Sequence, residues 1–179
     1  MKSFANTPRV EGLLKMIDEA YNKRAWHGTN LKGSLRGLTY MDAAWRPGKN
    51  RHNSWEIALH AAYWKYVVLR RLLGQKRGSF AVAGSNWFLR PAEFSEKAWK
   101  ADLKLLERLH QELRKVVAGL KDEDLDWTPR GSQNSHEFLI RGVAFHDIYH
   151  AAQIQLLKRI KASFQLPIMA DPSSREYYR

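Results

Sequence analysis

The stretch NSHEFLIRGVAFHDIYHAAQIQLLKRIK, residues 134–161, decides the fold. Its apolar stripe runs Leu139, Val143, His146, His150, Ile154, Leu157, in steps of three or four, the period of an α-helix with one buried face. At 1.5 Å per residue the segment is roughly 40 Å long. His146 and His150 lie on that stripe one turn apart, which brings their imidazoles to about 5–6 Å. Buried in an apolar seam, the ring nitrogens need partners. A divalent metal would take one nitrogen from each ring; carbonyls and hydroxyls would serve by hydrogen bonding. The spacing alone leaves both open, because this His-x-x-x-His lacks the glutamate of the metalloprotease motif.

Three more helical segments precede it. One opens at Thr7-Pro8, a cap residue followed by proline at the first helical position, buries Val10, Leu13, Leu14, Ile17 and Tyr21, and is expected to stop near Gly28. Another opens at Asn53 with Glu56 three residues on, a capping-box arrangement, and ends at Gly74. The third starts near Ser95 and carries Trp99, Leu103, Leu106, Leu109, Leu113 and Val116. The last is read as opening at Asn134, with Glu137 three on, and ending near Lys161. Four amphipathic helices with no alternating strand pattern predict an all-α four-helix bundle. The connectors at 26–52 and 74–94 are long, which argues against simple up-down-up-down wiring; the first carries short helix-like pieces at 31–38 and 41–45.

The connectors also echo each other. LTYMDAAWRP (38–47) and LKDEDLDWTP (120–129) share Leu, Asp, Trp and Pro at matched positions, and each precedes an Asn-x-x-Glu helix start. Connector and cap recurring together read as a repeated helical hairpin. Such a repeat relates the second long helix to the fourth and sets His60 where it can face the histidine pair. His60 lies 15 residues past Trp45 and His146 lies 19 past Trp127, a mismatch of about one turn.

Composition bounds the function. The 179 residues are read as a single domain, 1–179, with 162–179 a non-helical tail. Zero cysteines exclude disulfides, thiolate ligands and a protein-borne thiol nucleophile. With no apolar run of membrane length and no signal-peptide core at the start, the expectation is a soluble, cytoplasmic protein without a membrane role. The net charge of +12 is scattered over the chain, the pattern of solvated helix faces, and no nucleic-acid recognition motif accompanies it.

HDIYHAAQIQLLKR (146–159) resembles the last-helix signature of the metal-dependent DinB/YfiT-like proteins, a His-x-x-x-His followed by a small residue, Gln and Ile. NSWEIALHAAYWKY (53–66) resembles that family's second-helix segment with its single histidine, and the Trp-x-Pro connectors fit as well. Ala152 stands where a glycine is common, and the 26–52 segment and the positive charge are less typical. The resemblance implies an up-down-down-up four-helix bundle with long crossovers. It also implies one divalent metal on His60, His146 and His150, with Zn, Ni or Fe suited to imidazole. Its implied chemistry is activation of a low-molecular-weight thiol in an S-transferase. The alternatives are a hydrolase using metal-bound water, or a basic nucleic-acid or interaction module whose metal site is vestigial.

No residue is assigned a catalytic role. Glu56 and Asp147, next to ligand positions, are candidates to orient an imidazole, and His27 is a candidate to approach metal or substrate. His52, His110 and His136 are read as surface residues. The 26–52 connector, with Trp26, His27 and Trp45, is expected to wall the opening, and Arg36, Arg46 or Arg51 to select an anionic small-molecule substrate. A second stripe on the last helix, Phe138, Phe145, Tyr149, Ala152, Leu156, points to a central helix or a homodimer interface.

Overall fold

Local capping chemistry starts each long helix. In the computed structural model, which describes residues 7–76, 78 and 80–165, the Thr7 hydroxyl accepts the Val10 backbone N–H at 3.4 Å and Pro8 opens α1 (Pro8–Tyr21). Two short helices follow in the first connector, α2 (Leu31–Leu35) and α3 (Tyr40–Ala44). Asn53 and Glu56 close the expected capping box at the head of α4 (Ser54–Leu72), and Ser95 caps α5 (Glu96–Ala118), its hydroxyl accepting the Ala98 N–H at 3.1 Å. A short α6 (Asp122–Leu125) leads to α7 (His136–Gln165). All of the described secondary structure is helical.

The boundaries of α1 and α7 differ from expectation. α1 ends at Tyr21, because Asn22 leaves helical geometry while its N–H and that of Lys23 both close on the Asp18 carbonyl. Ser135, not Asn134, caps α7: its hydroxyl accepts the Phe138 N–H at 3.3 Å. α7 also runs past Lys161 to Gln165; the rest of the expected tail, 166–179, lies outside the described residues.

The echo between connectors has a structural counterpart. In each, the shared aspartate sits three residues into a short helix and reaches back to the N–H before it, Asp42 to Thr39 at 3.1 Å and Asp124 to Lys121 at 2.8 Å. The shared tryptophans then donate their backbone N–H to those same aspartate carbonyls, at 3.3 and 3.2 Å.

α5 and α7 each pack against both α1 and α4, and α2 lies along α7. Two indoles anchor the interior. Trp55 and Trp99 are fully buried with ring centroids 5.2 Å apart, and each satisfies its N–H, Trp55 on Asp102 at 2.7 Å and Trp99 on the Leu38 carbonyl at 3.1 Å. Trp99 thereby ties α5 to the connector ahead of α3. On the outside, α7 exposes Phe138, Phe145, Tyr149 and Leu156, so among the described residues its second stripe is left largely uncovered. Among the described residues no helix is long and apolar enough to cross a membrane.

Candidate metal centre

α4 delivers His60 and α7 delivers His146 and His150 to one point between the two helices. The His146 Nε2 lies 3.1 Å from the His60 Nε2 and 3.0 Å from the His150 Nε2, and one ligand atom from each of the three rings falls within 4.8 Å of the others. His60 and His150 are buried and His146 is half-buried.

Hydrogen bonds on the far side of two rings set which nitrogen faces inward. The His60 Nδ1–H donates to the Asn86 carbonyl at 2.7 Å, and the His150 Nδ1–H donates to the Gln153 side-chain oxygen at 2.7 Å. Both partners are oxygen acceptors, so each Nδ1 holds the proton and each Nε2 presents a lone pair. The His146 Nε2 stands about 3 Å from both, and among the described residues its buried Nδ1 has no hydrogen-bond partner, so a cation at the centre would take a lone pair from each of the three rings. Burial depresses all three imidazoles below their ordinary pKa, His146 to about 3 and His150 to about 4, with their mutual proximity adding to it. They are neutral at physiological pH and need lose no proton to bind. Nitrogen donors, inward lone pairs and neutral charge together fit a divalent metal of the borderline class.

The walls come mainly from a different segment than expected, with His52 the contribution of the 26–52 connector. Asn86 takes a left-handed backbone, φ 62°, a conformation asparagine tolerates better than most residues. It turns its carbonyl onto His60 while its side-chain oxygen accepts the Trp64 indole N–H at 3.0 Å. Trp87 stacks on His60 at 3.8 Å and on His52 at 3.7 Å, nearly parallel to both, forming a three-ring sandwich over the outer face of the ligand. The crossover between α4 and α5 therefore covers the histidines. In the 26–52 connector, Trp26 and His27 are exposed, and His27 is not one of the converging group. Arg46 is fully engaged, donating to both Glu56 oxygens, at 2.8 and 2.5 Å, and to the Arg51 and Arg90 carbonyls.

The two acidic candidates are buried but do not hydrogen-bond to the three converging imidazoles. Glu56 gathers Arg46, His52 and the backbone N–H groups of Asn53 and Arg90, fastening the connector and the crossover to the head of α4. Asp147, though adjacent to His146, is turned about 100° away from it around α7 and pairs with Lys65, both nearly inaccessible. Burial pushes its carboxyl up to about 6, against the pull of the Lys65 ammonium. Lys65 also lies over the Tyr21 ring at 4.9 Å, whose other neighbour is His110, stacked at 3.8 Å. His110 and His136 are buried, which corrects their reading as surface residues. His110 continues the apolar stripe of α5 between Leu106 and Leu113, a signal that was present in the sequence.

These buried imidazoles make stability depend on pH in a defined window. His110, His146 and His150 all have depressed folded values, to about 3, 3 and 4, so the unfolded chain binds their protons first. Their contribution is fully present above about 6.5 and is lost as pH falls from there towards 4. For the fully buried His110 and His150 the loss at pH 5 is on the order of 1–2 kcal/mol each. The urea midpoint of metal-free protein is expected to drop across that window; a flat profile from pH 7 to 5 would contradict the burial of these rings.

Comparison with known proteins adds one finding. The model of the DinB superfamily matches residues 24–154, a span holding all three histidines together with Asn86, Trp87 and Gln153. Neither a curated protein nor a solved structure gives a significant match.

Proposed function

As this chain belongs to the DinB superfamily, we propose that it is a metal-dependent enzyme that activates a low-molecular-weight thiol for S-transfer at His60, His146 and His150. The convergence of three inward-facing Nε2 atoms carries the reading. A divalent metal bound there supplies Lewis acidity that lowers the pKa of a coordinated thiol or water towards neutrality. The chain contributes the rest. His60, His146 and His150 hold the ion and leave coordination positions for a ligand, since three nitrogens do not complete a closed structural shell. Asn86 and Gln153 fix two ring orientations, and Trp64 and Trp87 keep bulk water from the outer face of His60. The absence of cysteine from the chain fits a thiol that arrives as cosubstrate.

The same reading takes the four long helices as an up-down-down-up bundle. The ring of contacts, α1 to α5 to α4 to α7 and back to α1, supports it, as does the long crossover joining α4 to α5.

The test is turnover by tag-free protein loaded with Zn, Ni or Fe. Metal- and thiol-dependent conjugation of a small electrophile, absent from His146→Ala, is the expected result. Ester or amide hydrolysis independent of thiol would replace the transferase reading with the hydrolase one. Activity that persists in His146→Ala would overturn the site.

A further inference from the structure

A groove leaves the histidine cluster along the seam between α4 and α7. It encloses about 290 Å³ and is bounded by Trp64, Val68 and Arg71 on α4 and by Phe138, Gly142 and His146 on α7. One end is a metal-site histidine, the walls are apolar, and the far end is a guanidinium. From His60 to Arg71 the rise along α4 is about 16 Å, and a helical side chain leans towards the N-terminus, which carries the Arg71 head back towards His60.

Two features set this groove apart from an ordinary surface crease. The described ion pairs of arginine are made by Arg9, Arg46, Arg90, Arg108, Arg114 and Arg141. Arg71 is half-buried at the groove's end, and no described carboxylate lies within ion-pair distance of it, whereas its neighbour Arg70 is occupied with the Gln75 carbonyl. The second feature is Gly142, in the middle of a long helix, where glycine costs about 0.5–1 kcal/mol relative to alanine. A Cβ built there meets no atom within 4 Å, so no packing demands the glycine. Gly142 lines the groove one turn before His146 without narrowing it.

We propose that this groove binds the body of the cosubstrate: a ligand with a metal-seeking thiol head, an apolar middle on the order of 10 Å long and a carboxylate tail paired with Arg71. This rests on the metal-site reading above and adds a specificity determinant, Arg71, at the end away from the chemistry. It replaces Arg36, Arg46 and Arg51 as the source of anion selectivity.

The experiment uses the full chain loaded with Co²⁺, titrated with 8-mercaptooctanoate and with 8-mercaptooctan-1-ol. The thiolate-to-cobalt absorption reports binding of the head. The acid is expected to bind about ten- to a hundredfold more tightly than the alcohol, the range of a charge-assisted hydrogen bond. Arg71→Gln should remove that preference by weakening the acid alone. Gly142→Leu should weaken both ligands about tenfold or more while cobalt uptake is unchanged, because leucine favours the helix and fills the groove. Equal affinity in the wild type, a preference that survives Arg71→Gln, or unchanged binding in Gly142→Leu would each overturn the proposal. Failure of the wild type to take up cobalt would instead defeat the metal reading. The groove is then judged on metal-free protein by calorimetry with octanoate and octan-1-ol, using the same variants and criteria.

Discussion

Replacing His146 and His150 together with alanine is expected to weaken divalent-metal binding by about 10⁴-fold. Four-ligand zinc sites in small domains contribute roughly 10–16 kcal/mol, about 3 per ligand, so losing two ligands removes about 6 kcal/mol. The variant should fold, because the bulk of the core is elsewhere, on Trp55, Trp99, Ile17, Leu59 and Leu113. A graded companion is Gln153→Ala. It removes the acceptor that holds the His150 Nδ1 proton and should cost about 10–100-fold while leaving all three donors in place. Competition against a chromophoric chelator measures both. If the double variant holds metal as tightly as the wild type, the ion binds elsewhere. If Gln153→Ala costs nothing, the far-side hydrogen bonds do not orient the rings.

The second large effect concerns Lys65 and Asp147. Lys65→Ala leaves the Asp147 carboxyl buried with no cation, and one of its oxygens already lacks a partner. Breaking such a pair from one side costs about 3–5 kcal/mol, a large share of the stability of a domain this size. Removing both charges by Lys65→Met with Asp147→Leu should recover most of that, since the cost lies in the stranded charge and not in the lost attraction. Urea denaturation of the two variants decides it. A Lys65→Ala protein within 1 kcal/mol of wild type would mean that water reaches Asp147. The pair lies one residue from His146 along α7 and joins α7 to α4, so it also fixes the register of the two helices.

What the sequence disclosed follows the range of the interactions involved. Helix starts at Thr7, Asn53 and Ser95 were legible because a cap is made within three residues. The start of α7 was misplaced by one because Asn134 and Ser135 are both good cap residues, and only the tertiary contact of the His136 N–H with the Trp127 carbonyl selects the second. The histidines of α7 were legible from their four-residue spacing. His60 had weaker support, since the repeat left it a turn out of phase, and the family resemblance supplied the rest. Asn86 and Trp87 were not legible at all: they lie in an aperiodic crossover, and nothing local shows that it folds back over α4. Gln153 was within reach, one turn from His150 on the same face, and stood in the quoted motif without a role. The aspartate beside His146 misled because adjacency along a helix means a turn of about 100° away, which aims Asp147 at Lys65 and not at the imidazoles. Arg46 was misread for a similar reason, because a basic residue in a loop says nothing of the buried carboxylate, Glu56, that claims it.

The central claim is that His60, His146 and His150 coordinate one ion through their Nε2 atoms. The most direct measurement is X-ray absorption at the metal edge of tag-free protein loaded with one equivalent of Zn²⁺. The account predicts three imidazole nitrogens at about 2.0–2.1 Å with their outer-ring scattering resolved, and the remaining coordination filled by a light, exchangeable atom. A spectrum with fewer than two imidazoles, or one dominated by carboxylate oxygens, would contradict it.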